Sequence, residues 1–165
     1  MSDISASAAE ARVFLRHTLA TLAYRGGKAV RGAPADFGDF RIGAESRTPR
    51  QILAHIGDLL DWALWMCRGE HRWNNSEPLP WNEEVARFHG ALQELDAILA
   101  SNVVLGTSIE RLFQGPLADA LTHVGQLNML RRLAGSPVRA ENYARADIAA
   151  GQVGVRQPAP RAEFD

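Results

Sequence analysis

The stretch Thr48-Pro49-Arg50-Gln51-Ile52-Leu53-Ala54-His55-Ile56-Gly57-Asp58-Leu59-Leu60-Asp61-Trp62-Ala63-Leu64-Trp65-Met66-Cys67 decides the fold. Its first four residues form a capping box. The Thr48 hydroxyl can accept the orphan N–H of Gln51, the Gln51 side chain can reach back to residue 48, and Pro49 stands where a helix needs no N–H. From there Ile52, Leu53, Ile56, Leu59, Leu60, Ala63, Leu64 and Cys67 recur at helical spacing, and Trp62, Trp65 and Met66 widen the apolar band. So broad a band predicts a helix central to a bundle or facing a second copy of the chain.

Three further segments share the helical period. The first runs from about Ser7 to Arg31, with Ala11, Phe14, Leu15, Thr18, Leu19 and Leu22 along its inner side. The next spans about Asn82 to Ala100, with Glu83 and Glu84 in the first turn, where the helix dipole favours acids, and Val85, Phe88, Leu92, Leu95 and Leu99 inward. The last starts at Pro116 and stops at Gly135, with Arg131 and Arg132 placed to complement the dipole at its end. Asn102 to Gly115 breaks the pattern, with one short turn near Ile109 to Phe113. No strand alternation or internal repeat is visible. The fold expected is all-α: a four-helix bundle over residues 1–135 with an irregular tail, 136–165, packed on it through Tyr143 and Phe164 as one domain.

At 165 residues the chain can bury a substantial core, and 46% hydrophobic with 22% charged residues is ordinary for a globular protein. A net charge of −1 disfavours nucleic acid and anionic membrane as partners. Cys67 is the only cysteine, so no internal disulfide or Cys-x-x-Cys zinc site exists, and it reads as a small buried residue. No run of about 18 apolar residues and no basic-then-apolar leader appears, which makes a cytoplasmic location the expectation.

The chemistry concentrates in the last helix. Asp119, His123 and Gln126 are spaced four and three apart and share one face, and that face continues into Leu130, Leu133 and Ala134, which should point inward. Buried polar groups need partners, and His55 lies in the other strongly apolar segment. His55 sits about 9 Å past Pro49 along its helix, and Asp119 and His123 about 4.5 and 10.5 Å past Pro116. In an up-down-up-down bundle, with the two helices parallel, the three fall at one level. Two imidazoles and a carboxylate then suit a divalent metal with open positions, and Zn, Ni, Fe and Mn all fit the donor set. The same residues also fit a hydrogen-bonded cluster that holds no ion.

His55 within Ile-Leu-Ala-His-Ile-Gly-Asp-Leu-Leu, and His123-Val-Gly125-Gln126 followed by Met-Leu-Arg-Arg-Leu-Ala-Gly, resemble the DinB/YfiT-like family of metal-dependent proteins over residues 5 to 135. The resemblance implies a four-helix bundle, a homodimer, and a divalent ion held by three histidines. It also implies either no known activity or thiol-dependent transfer or isomerisation, with a low-molecular-weight thiol as partner. The family's usual histidine four residues before His123 is replaced here by Asp119, itself a competent ligand.

The function expected is therefore a metal-binding protein with His55, Asp119 and His123 as ligands and Gln126 orienting His123, acting as a hydrolase or thiol-dependent transferase or isomerase on a small molecule. The catalytic base is unknown. The alternative is a non-catalytic dimeric ligand-binding or interaction module in which Asp119 and His123 form a structural pair. His89 reads as a core-edge histidine, and His17 and His71 as surface and loop residues. Asp58 reads as a solvated or interface charge. Trp62, Trp65, Trp73 and Trp81 read as core or dimer seam rather than as pocket walls.

Overall fold

The computed structural model describes residues 2–164, with side-chain environments over 9–164, so Met1 and Asp165 at the ends of the two expected segments lie outside the described residues. The chain is mainly helical. The long helices are α1 (Ser2–Val30), α2 (Pro49–Cys67) and α3 (Trp81–Ala100), followed by a composite last helix. That composite joins α4 (Ile109–Leu112) through a π turn (Phe113–Leu117) to α5 (Ala118–Leu133). No helix among the described residues is long and apolar enough to cross a membrane.

The capping box is present as read: Gln51 N–H donates to Thr48 Oγ1 at 3.2 Å and Thr48 N–H donates to Gln51 Oε1 at 2.9 Å. Such a cap stabilises a helix start by about 1 kcal/mol. The last helix begins a full turn and more before Pro116, with Ser108 capping Arg111 N–H at 3.3 Å. Pro116 was expected to start the helix because it has no N–H to give. It sits instead inside the π turn, whose wider spacing accommodates a residue that would otherwise break the hydrogen-bond ladder.

Helix α1 packs against α3 and α5, and α2 also packs against α3 and α5. The shared interior holds Leu15, Leu19, Leu22, Ile56, Leu60, Phe88, Leu92, Leu95, Leu117 and Leu127, all fully buried. Helix direction differs from the parallel case in which the three candidate ligands would fall at one level. The Cys67 carbonyl accepts from Gly106 N–H, Trp62 lies against Gly115, and Ile52 shares a hollow with Met129 and Leu130. Ascending residues of α2 thus meet descending ones of the last helix, and the two are antiparallel. Arg87 and Glu94 of α3 pair with Asp58 and Arg68 of α2 in ascending order, so α2 and α3 run parallel. Gly106 is required here, since a Cβ there would fall 2.2 Å from Gly69 N.

Several single-residue expectations are also corrected. Phe14 and Leu133 are 64% and 54% exposed rather than inward. Arg131 is buried, and beyond any dipole effect it donates to the carbonyls of Ala29, Arg31, Gly32 and Ser136, closing the C-terminal end of α1. After α5 the chain is mostly irregular but contains one antiparallel pair, β1 (Ala140–Glu141) with β2 (Glu163–Phe164), too short for alternation to show in sequence. It is fastened by buried Glu141, which accepts from Lys28 Nζ at 2.8 Å and Tyr24 Oη at 2.9 Å. Val153 is buried in the core, and its carbonyl lies 3.3 Å from Nδ1 of buried His89. Tyr143 meets Tyr24 edge to face, whereas Phe164 is 54% exposed.

Candidate metal centre

His55 projects from the second turn of α2, and Asp119 and His123 from the first turns of α5 just beyond the π turn. One ligand atom from each lies within 4.8 Å of the others. Asp119 Oδ1 is 3.4 Å from His123 Nε2, Asp119 Oδ2 is 3.7 Å from His55 Nε2, and the two imidazole centroids stand 4.7 Å apart at 89°. The two levels match although the helices are antiparallel, because the last helix begins at Ile109 and not at Pro116.

The 3.4 and 3.7 Å separations exceed the ordinary N–H···O length of about 2.7–3.2 Å, so the three groups face one another without hydrogen-bonding. Donors about 2.0–2.1 Å from a common ion at tetrahedral angles stand about 3.4 Å apart. Asp119 Oδ1 stands that far from His123 Nε2, whereas the 3.7 Å spacing to His55 is to the other oxygen, Oδ2, and one donor atom from each of the three spans up to 4.8 Å. The trio could hold a metal ion once its side chains draw inward.

The surroundings suit that role. Gln126 Oε1 lies 2.8 Å from His123 Nδ1, so Nδ1 carries the hydrogen and the Nε2 lone pair faces Asp119. Burial lowers the His55 pKa, and His123 and Arg47 act in the same direction against Asp119 and Asp58. A neutral imidazole at neutral pH is the ligand-competent form. The side chains of His55 and His123 are 20% and 12% exposed, and Asp119, expected on a buried line, is 48% exposed. The site thus opens to solvent on the carboxylate side.

Asp58 is not solvated, and its hydrogen bonds go to Arg87 and Ser76, not to His55. It is 2% exposed, accepts from Arg87 Nη2 at 2.6 Å, and receives Ser76 through its N–H at 2.9 Å and its hydroxyl at 2.6 Å. Arg87 reaches it across Gly57, where a Cβ would fall 2.8 Å from the guanidinium carbon. This clamp holds the loop between α2 and α3. From that loop Trp73 lies edge-on to His55 at 5.7 Å and edge-on to Trp62 at 6.0 Å. The tryptophans accordingly divide. Trp73 lies against His55 with Trp62 behind it, Trp65 lies under Arg68 and Arg72, and Trp81 packs on Phe37.

Sequence reasoning passed over Arg47, which lines the same hollow as His55. A signal was available. Arg47 stands at the N-terminal end of α2, where the dipole disfavours a cation, so its position calls for another explanation. His17 and His71 are exposed and do not belong to the clustered group, and Cys67 is buried.

No protein-family model, curated protein or solved structure matches this chain.

Proposed function

We propose that this chain is a divalent-metal-binding protein, a four-helix bundle of DinB/YfiT-like type, that acts on a small molecule at His55, Asp119 and His123. The observation that carries the reading is the convergence of three ligand side chains, from two helices distant in sequence, with one donor atom of each within 4.8 Å of the others. A divalent ion with three protein ligands would supply Lewis acidity at its open positions, toward water in hydrolysis or toward a small thiol in transfer or isomerisation. The chain's own residues supply the rest. His55 and His123 offer ring nitrogens, Gln126 holds the His123 ring, and the Asp119 carboxylate lowers the charge of the site. Trp73, backed by Trp62, sets an aromatic edge against His55. The homodimer that the resemblance implies is part of the same proposal.

Metal analysis of protein purified without a nickel column, followed by titration with Zn and Ni, tests the reading. Stoichiometric uptake is expected, with His55→Ala and His123→Ala each folded but weakened by orders of magnitude. Less than about a tenth of an equivalent as purified, with no uptake on titration, overturns it.

A further inference from the structure

Two hollows flank the His55–Asp119–His123 trio, and Arg47 borders both. One, of about 250 Å³, is polar and lined by Gln51, His55, Asn75 and Ser76. The other, of about 340 Å³, is walled by Ile42, Ile52, Met129, Leu130 and Leu133, and Gln126 joins it to the His123 side. Ile42, Met129 and Leu133 are 60%, 57% and 54% exposed, more apolar surface than one corner of a helical protein needs to leave open.

Arg47 is exposed and, among the described residues, has neither an ion pair nor a hydrogen bond. Asp58, in the polar hollow, is already occupied by Arg87 and Ser76, and Glu77 lines that hollow without pairing to Arg47. An uncommitted guanidinium therefore stands between an apolar trough and a set of metal-ligand side chains. A planar fork of donors suits a carboxylate or phosphate, and the trough suits a hydrocarbon chain extending from it.

We infer that the site takes a small organic anion bearing an apolar chain, with its anionic head on Arg47 beside the trio and its chain along Ile42, Ile52, Met129 and Leu133. The inference rests on the metal-centre reading for what would act on the bound molecule, but not for the binding itself.

Isothermal calorimetry on the full chain, both zinc-loaded and EDTA-treated, tests it with acetate, octanoate, octyl phosphate and octylamine. Octanoate or octyl phosphate should bind at least about tenfold more tightly than acetate and octylamine, and the tighter of the two identifies the head group. Arg47→Gln should lose that factor while the chain still takes up zinc. Met129→Asn with Leu133→Asn should abolish the advantage of octanoate over acetate. Zinc uptake without octanoate or octyl phosphate binding overturns this inference and leaves the metal centre standing. Arg47-dependent octanoate binding to a chain that takes up no zinc supports the anion site and removes the metal centre. Equal binding of octylamine and octanoate, or an indifferent Arg47→Gln variant, overturns the inference. So does a dimer that the Met129/Leu133 double variant dissociates while neither anion binds, since the trough would then be a seam between two copies.

Discussion

Gln126 Oε1 and His123 Nδ1 lie 2.8 Å apart, one turn from each other on the exposed side of α5, and that bond determines which imidazole nitrogen faces Asp119 and His55. An imidazole free to rotate or to change tautomer would present Nε2 only part of the time. Gln126→Leu should therefore lower zinc affinity by about 10–100-fold. Because Gln126 is exposed, melting of the metal-free protein should hardly change. Competition against a chromophoric chelator measures the first quantity and thermal denaturation the second. Full zinc affinity in the variant would remove the orienting role.

Asp119 separates a ligand from a structural partner. At 3.4 Å from His123 Nε2 and half exposed, it contributes no hydrogen bond whose loss would destabilise the fold. Asp119→Asn should leave metal-free stability within about 0.5 kcal/mol while greatly reducing metal affinity. Urea denaturation beside metal titration reads both. A large stability loss with unaltered metal binding would favour the structural-pair alternative.

How much of this was legible in the sequence follows from which interactions are local. The capping box at Thr48, the period of α2 and α3, and the stacking of Asp119, His123 and Gln126 on one face depend on residues within a few positions of one another, and each is present. Helix direction depends on loop paths, which no periodicity encodes. The predicted meeting of His55 with α5 occurs with the two helices antiparallel and the last helix starting at Ile109, not at Pro116. Asp58 and Arg131 resemble surface charges in sequence because their partners, Arg87 and the carbonyls of Ala29, Arg31 and Gly32, lie 29 to 102 positions away. The π turn was hidden because Pro116 reads more naturally as a helix start than as a residue inside one.

Arg131 carries the next prediction. Its Nη1 donates to the Ala29 carbonyl at 2.9 Å and to that of Arg31 at 3.1 Å, and its Nε donates to the Ser136 carbonyl at 2.8 Å. Removing a buried cation that serves several backbone carbonyls leaves those acceptors without donors. Arg131→Met, which retains the side-chain volume, should cost about 3 kcal/mol, whereas the exposed neighbour Arg132→Met should cost less than about 0.5 kcal/mol. Urea midpoints at constant slope measure both. Equal effects at the two positions would mean that the dipole alone explains the pair.

The fastening of the C-terminal segment should impose its own pH profile. Burial pushes the Glu141 pKa up, but bonds from Lys28 and Tyr24 outweigh it and hold the carboxyl below its ordinary 4.5. Because the folded value is the lower one, the stability from Glu141 is present above about 4.5 and is lost as pH falls through the folded value. Tyr24 behaves in the opposite sense. Burial, then the hydrogen bond and charge of Glu141, push it up to about 12 from 10.0, so its contribution is complete below 10.0 and is lost as pH rises toward about 12. Wild-type stability should therefore show a plateau bounded by an acid and an alkaline decline. Glu141→Gln should flatten the acid side and move the Tyr24 titration back toward its ordinary value, because the negative charge opposing tyrosinate is gone. Urea denaturation across pH, with ultraviolet titration of tyrosinate, measures both effects. Parallel stability profiles for the two proteins, with an unmoved tyrosine, would show that Lys28, Tyr24 and Glu141 do not form the clamp.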